Sequence, residues 1–415
     1  MNRQPASAPE LAELYRVLVA STTSDLAPAW ILGSSVNSLS FVRSLGRRGI
    51  PCVVIDAEKM IAAHSRYTTF AAVSMAALDS VEGVSSLKDA AMASRSAPVI
   101  FATSDGHNHF LARHQDALAP VARYLSPSLQ TIESILDKKL QYQRASEAGI
   151  ATPVCSYPES DEALEDFSRT ISYPSIIKPC VSHVGRKLLG GRKVRVVHDR
   201  EELMTAWKEL GEAQNQFMIQ EIIPGGDDQL FGYLAFWSRD GEELAWVTKQ
   251  KLRQNPPIYG DGSLQRSVSC EPVRELSRRL LARFDYRGFV AVEYKKDPRD
   301  GEFKLMEINP RTVSGNQLAV SAGVDFPSIG YDYLTDPAYR CEARFRPGVQ
   351  FVNEEWDLRA YLSLRKEGKL GLSGFLKTLM GSESRAIWAA DDMRPMLVTV
   401  QSLMRASLEK LRRGL

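Results

Sequence analysis

Apolar residues recur along this chain with two spacings, and the changes between them mark out its parts. Residues 10–20 carry a short helical pattern within an Ala/Ser/Pro-rich opening, and residues 29–33 form a continuous apolar run that predicts a buried strand. A helix follows with Val36, Leu39, Val42 and Leu45 on one face, and Gly49 ends it. Residues 51–56 and 98–103 predict two more strands, the second running into Ser104-Asp105-Gly106. Strands that alternate with helices imply a parallel, Rossmann-like sheet. Beyond it come a helix over 137–149, strands at 173–179 and 217–223, and a hairpin of 230–237 with 243–250 around Asp240-Gly241. An amphipathic helix over 272–284 leads into a second hairpin, 289–294 with 305–311, whose turn is Asp297-Pro298-Arg299-Asp300-Gly301. Residues 358–366, 375–380 and 393–415 read as helices. The expected fold is therefore α/β and α+β, in several domains: a tail over 1–28, a Rossmann-like domain over 29–125, a mixed domain over 126–335, and a helical extension over 336–415.

Composition narrows the function classes. A chain of 415 residues can bury the cores of two or three domains. Its formal net charge of +2 gives no bulk attraction for nucleic acid or anionic membrane. Cys52, Cys155, Cys180, Cys270 and Cys341 are odd in number, far apart and without zinc-ligand spacing, which predicts reduced thiols in a cytoplasm. No apolar run approaches the length of a membrane span, and no signal-peptide core opens the chain. The final basic segment is interrupted by Glu409, so packing is expected of it rather than membrane binding.

The second hairpin carries the densest candidate chemistry. If its turn closes with Lys296 near Glu302, Glu293 falls opposite Leu305, and Glu293, Glu307 and Asn309 share a face with Phe289, Ala291, Phe303 and Leu305. Two carboxylates on an apolar face are costly to desolvate unless a cation joins them, and oxygen-only ligands suit Mg²⁺. Spacing alone equally allows a surface hairpin with two solvated glutamates.

Glu293 followed by Glu-x-Asn-Pro-Arg at 307–311 resembles the metal-binding core of the ATP-grasp ligases, and residues 137–333 resemble the bacterial ATP-grasp carboligases. The resemblance implies two α+β subdomains holding ATP between them, with Mg²⁺ (or Mn²⁺) on Glu293, Glu307 and Asn309. Within it, Asp137-Lys138 resembles the entry whose lysine reaches the nucleotide phosphates, and Lys178, set inside an apolar strand, resembles the lysine that contacts the α- and β-phosphates. Gln220, Glu221, Ile222 and Ile223 resemble the hinge that reads adenine. Asp227 or Asp228 lies where the family places an acidic group near the nucleotide, with Asp228 as the candidate. Residues 180–192, with Gly185, Gly190, Gly191, Arg186, Lys187 and Arg192, suit a mobile lid over the triphosphate, or a solvated basic hairpin.

Lys249, Lys251 and Arg253 precede a Pro/Gly loop. They suit a clamp for γ-phosphate or a substrate carboxylate, or an ordinary strand end. Arg311 has a planar fork suited to an acyl phosphate or a developing oxyanion. In the first domain Gly33 and Asp56 suggest a dinucleotide site, but Gly33-Ser34-Ser35-Val36-Asn37-Ser38 keeps only the first glycine of that fingerprint. Ser34, Ser35, Asn37, Ser104 and Asp105 are expected instead at the mouth of a substrate pocket. His107, His109 and His114 are expected to be surface or capping residues. The resemblance implies an ADP-forming ligase that joins a small carboxylate to an amine through an acyl phosphate, with Arg311, Lys251 and Arg253 as catalytic candidates. Its alternatives are a carboxylase, a phosphoryl transferase, or a non-catalytic ATP-binding regulator. Partners are expected to be small molecules, with no nucleic acid and no membrane insertion, and a homodimer is among the expected states.

Overall fold

The computed structural model describes residues 8–22, 24–181 and 188–412. The chain opens with helix α1 (Ala8–Ser21), strand β1 (Ala29–Leu32), helix α2 (Val36–Arg47), and strands β2 (Cys52–Asp56), β3 (Thr68–Ala72) and β4 (Val99–Ala102). The strands form a wholly parallel sheet in the order β3-β2-β1-β4. Strands β1, β2 and β4 are apolar almost throughout because both faces are covered, while the edge strand β3 is partly exposed. Trp30, Leu32, Val53 and Ile55 pack on one side with Leu11, Leu14, Val17 and Leu18 of α1. Ile31, Val54 and Phe101 pack on the other with Leu39, Phe41 and Leu45 of α2. The opening helix is thus built into the core of the first domain.

Helix α3 (Asp105–Arg113) starts at the end of β4, where the Ser104 side chain accepts from the His107 amide. Helix α4 (Lys138–Glu147) is capped by Asp137, whose carboxylate accepts from the amides of Lys139 and Leu140. A four-stranded antiparallel sheet follows, in the order β5 (Cys155–Ser156), β8 (Phe217–Glu221), β6 (Ser175–Pro179) and β7 (Arg195–Val197).

The largest sheet has seven strands. In sheet order they are β13 (Phe303–Asn309), β12 (Gly288–Lys296), β9 (Leu230–Trp237), β10 (Glu243–Asn255), β11 (Asp261–Ser267), β14 (Gln350–Val352) and β15 (Ser384–Arg385). The C-terminal region is mainly helical, through α5 (Glu354–Lys366), α6 (Leu372–Met380) and α7 (Arg394–Arg412), and it also contributes the last two strands of this sheet. Among the described residues, no helix is long and apolar enough to cross a membrane.

The β12/β13 hairpin differs from its expected register by one residue. Glu293 pairs with Glu307, Tyr294 pairs with Leu305, and Met306 is the extra residue of a β-bulge between them. The bulge restarts the alternation of side chains. Leu305 and Phe303 therefore leave the carboxylate face and join Val292, Tyr294 and Ile308 in the core behind it, while Met306 faces the cavity.

Candidate active site

The four-stranded antiparallel sheet, the seven-stranded sheet and the strand ends of the first domain enclose a cavity of about 500 Å³, a volume suited to a nucleotide with a small second ligand. Its nucleotide-like half is built from α4, β6 and β8. Lys138 and Lys178 both line it and both are buried. The Lys138 ammonium lies 3.5 Å from Glu307 Oε1. Lys178 donates to the Tyr142 hydroxyl at 3.1 Å, and that hydroxyl donates to Gln220 Oε1 at 2.9 Å. Burial, helped by the charge of Lys138, brings Lys178 down to about 7, against the pull of Glu307. Gln220, Glu221, Ile222 and Ile223 line the adjoining wall. The Glu221 carboxylate is already used structurally, accepting from the Val154 amide and from Arg299, which leaves main-chain groups to read a base.

Glu293, Glu307 and Asn309 meet at one edge of the cavity because Glu293 is directly cross-strand from Glu307 and Asn309 is two residues further on. Burial raises the Glu307 carboxyl, but Lys138 and Lys178 outweigh it and bring the group to about 2. Lys251 Nζ donates to Glu293 Oε2 at 2.8 Å. Burial works against that ammonium, and Glu293 more than offsets the loss, so Lys251 is raised. Among the described residues no group of three or more His, Cys, Asp or Glu side chains is arranged to hold a metal. A cation here would rest on two carboxylates and the amide oxygen of Asn309. That is a hard, oxygen-only donor set, and it fits Mg²⁺ sharing its shell with phosphate oxygens and water.

Arg311 lines the cavity and is held from the first domain. It donates to Asp105 Oδ1 at 2.7 Å and Oδ2 at 3.3 Å, and to Asn309 Oδ1 at 3.1 Å. Burial disfavours its charge, and Asp105 and Glu307 restore it. Ser35, Asn37, Ser104 and Asp105 reach the cavity as expected. Ser34 does not: its amide donates to Asp56 and its hydroxyl to the Glu58 carbonyl.

Two expected site residues lie elsewhere. A second β-bulge between Lys251 and Arg253 turns Arg253 to the opposite face of β10. There its guanidinium meets both oxygens of Asp357, at 2.8 and 2.7 Å, in a buried pair. Asp228 is also outside the cavity wall; its carbonyl accepts from Gln250, while Asp227 accepts from Gln254. Of the expected lid, Gly185, Arg186 and Lys187 fall outside the described residues, and Lys193 beyond it lines the cavity and pairs with Asp261 at 2.9 Å. His109 and His114 pair with Glu133 and Asp79, but His107 is buried, and burial lowers it to about 4.

Sequence reasoning missed Tyr142, Gln265, Lys295 and Trp356. Tyr142 and Gln265 hold a neighbouring lysine, Lys295 donates to the Gly225 carbonyl, and Trp356 comes from the helical extension. Single polar or aromatic residues of this kind carry no spacing signal.

A family model described as ATP-grasp in the biosynthetic pathway with Ter operon matches residues 236–355. The D-aspartate ligase of Enterococcus faecium (strain Aus0004) is 23% identical over 306 residues, covering 67% of this chain and 72% of that protein. The carbamoyl phosphate synthase large chain of Methanobrevibacter smithii is 23% identical over 251 residues, which cover 55% of this chain and only 23% of that longer protein. The structure of carboxyaminoimidazole ribonucleotide synthase from Aspergillus clavatus complexed with ATP aligns with a TM-score of 0.56 at 18% identity, covering 77% of this chain and 80% of that one.

Residues 236–355 are similar to an ATP-grasp domain.

The β6/β8 sheet and the sheet that holds β9 to β13 are two walls of the cavity, and the bulged hairpin supplies its acidic edge.

Proposed function

We propose that the chain is an ADP-forming ligase that binds ATP and Mg²⁺ and joins a small-molecule carboxylate to an amine. The observation that carries this reading is the row of charge at one edge of the cavity: Glu307 with Lys138, Glu293 with Lys251, and Arg311 beyond Asn309. Its chemical logic is that of phosphoryl transfer, in which the protein positions groups and offsets charge.

Lys138 and Lys178 are assigned to the phosphate chain. Gln220 to Ile223 are assigned to the base, with Ile222 and Ile223 against its faces. Glu293, Glu307 and Asn309 would hold the metal, which supplies neutralisation of charge as the γ-phosphoryl group moves. Lys251 steadies Glu293 and offers a second cation beside the transferred group. The substrate carboxylate attacks the γ-phosphorus and ADP leaves; the amine then attacks the acyl carbon, phosphate leaves, and an amide forms. Arg311, kept charged by Asp105, is assigned to the acyl phosphate formed in the first step and to the carbonyl oxygen that gains charge when the amine attacks.

A screen of carboxylate–amine pairs for ADP release, with product mass for each hit, tests the reading. Without amine, hydroxylamine is expected to trap the acyl phosphate as a hydroxamate. Arg311→Lys, which keeps the charge and loses the fork, is expected to slow trapping more than it weakens ATP binding. AMP and pyrophosphate as products refute acyl-phosphate chemistry. Carboxylation of the amine by bicarbonate alone would move the chain to the carboxylase alternative.

A further inference from the structure

Beyond the phosphate lysines, one buried cation on the cavity wall has no task in this mechanism. Lys249 is 2% exposed and lines the cavity. Among the described residues no carboxylate lies within ion-pair distance of it; its ammonium donates to the neutral Gln265 Oε1 at 2.7 Å. A fully buried lysine normally has an anionic partner.

Sheet register places Lys249 relative to the chemistry. One cross-sheet row reads Glu307, Glu293, Gly232, Lys249 on β13, β12, β9 and β10. Residues paired directly across neighbouring strands point to the same face, so this row is a floor with two carboxylates at one side and a cation at the other. Strand spacing puts the Cα atoms of Glu293 and Lys249 roughly 10 Å apart. Residue 232 is glycine because the Lys249 side chain lies across it: a Cβ there would lie 2.7 Å from Lys249 Cε. Lys251 bonds Glu293, while the Lys249 ammonium ends on Gln265 beside Gly315.

We propose that Lys249, backed by Gln265, is the receptor for a second anionic group on the acid substrate. The acid is then a dianion, with one carboxylate at the Glu293 edge for phosphorylation and another, or a group of like charge, a few bonds away on Lys249. This rests on the ligase reading and deepens it by naming the class of acid.

The test measures binding and turnover separately. Wild-type protein, saturated with a non-hydrolysable ATP analogue and Mg²⁺, is titrated with succinate, aspartate and glutamate, each as both enantiomers where chiral, and with their monoamides succinamate, asparagine and glutamine. Binding is read calorimetrically, and ADP release is read in parallel with ATP and a panel of amines. At least one dianion is expected to bind tenfold or more tightly than its monoamide. Lys249→Met is expected to erase that preference while leaving the affinity for the ATP analogue within twofold. Gly232→Ala, whose methyl displaces the Lys249 side chain, is expected to reduce the preference without removing the charge. The proposal is overturned if no dianion outbinds its monoamide, or if Lys249→Met weakens both equally. Dianion preference without ADP from any pair would keep the subsite and reject the ligase reading; ADP formed equally from monoamides would do the reverse.

Discussion

Lys178 gives the most direct test of the nucleotide assignment, because its proton is coupled to whatever anion enters the cavity. In the free protein, burial and the neighbouring Lys138 hold it at about 7 rather than 10.5. At pH 8 about nine in ten copies are therefore neutral, and at pH 7 about half. Triphosphate oxygens beside the ammonium favour its charged form and return the group to the ordinary lysine range. Binding of a non-hydrolysable ATP analogue should then draw about 0.9 proton from solution at pH 8 and about 0.5 at pH 7. Titration calorimetry in buffers of different ionisation enthalpy reads this number as the slope of observed heat against buffer enthalpy. Lys178→Met should remove that slope at pH 8 while keeping measurable binding through Lys138. A wild-type slope near zero, or proton release, would refute the burial argument; a slope unchanged in Lys178→Met would assign the proton to another group.

Other consequences are as testable. Glu307→Gln should lower ADP formation by at least about a hundredfold while the circular dichroism spectrum is unchanged; wild-type turnover would dismiss Glu307 as a metal donor. Because Glu307 falls from 4.5 to about 2 on folding, it contributes stability that is present above 4.5 and lost as pH falls towards 2. Urea midpoints of wild type should accordingly drop over that window more than those of Glu307→Gln. Asp357→Ala leaves the Arg253 guanidinium buried without its carboxylate and should cost about 3–5 kcal/mol of unfolding free energy. Arg253→Met should leave ATP affinity within about twofold, since the residue lies behind the sheet; a selective loss of ATP affinity in a stably folded Arg253→Met would return it to the site. NADH should give no saturable change in protein fluorescence, since the Asp56 carboxylate is engaged by the Ser34 amide.

What the sequence made legible was what repeats or clusters. The parallel strands at the start of the chain are uninterrupted apolar runs, and Lys178 stands out because a cation inside Ser-Ile-Ile-Lys-Pro needs an anion. Two of the misplacements, those of Leu305 and Arg253, share one physical cause. A β-bulge inserts one residue and reverses every side chain beyond it. Strict alternation from Glu307 put Leu305 on the carboxylate face, and strict alternation from Lys251 put Arg253 into the cavity. For the hairpin a signal existed: Leu305 and Ile308 are both core residues, and a spacing of three cannot keep two side chains on one face of a regular strand. For Arg253 the deciding partner, Asp357, lies 104 residues away, beyond any local pattern. Trp356 was missed for the same reason, since the helix that carries it packs against β10 only in the folded chain.

The first domain shows how a fold can keep its architecture and use it for another purpose. Its strand-end loops would receive a dinucleotide in a Rossmann site, yet here their polar groups are spent on the segment that follows the acidic hairpin. The Asn37 side chain donates to the carbonyls of Thr103 and Thr312, Asn108 bonds the Pro310 carbonyl, and Asp105 grips the Arg311 fork. Three side chains from one domain thus fix three successive residues, 310 to 312, of another. Arg311 needs that support. Its fork would otherwise be free to pair with Glu307, which already influences its charge, and an arginine paired with a carboxylate at the metal edge could not serve an oxyanion beyond it. Holding Arg311 from outside draws its fork towards Asp105 while one nitrogen still donates to Asn309 Oδ1. On the proposed assignment of Arg311, the first domain would act through it as well as by lining the pocket, and the two sheets alone would keep the Lys138/Lys178 side of the cavity but not the placement of Arg311.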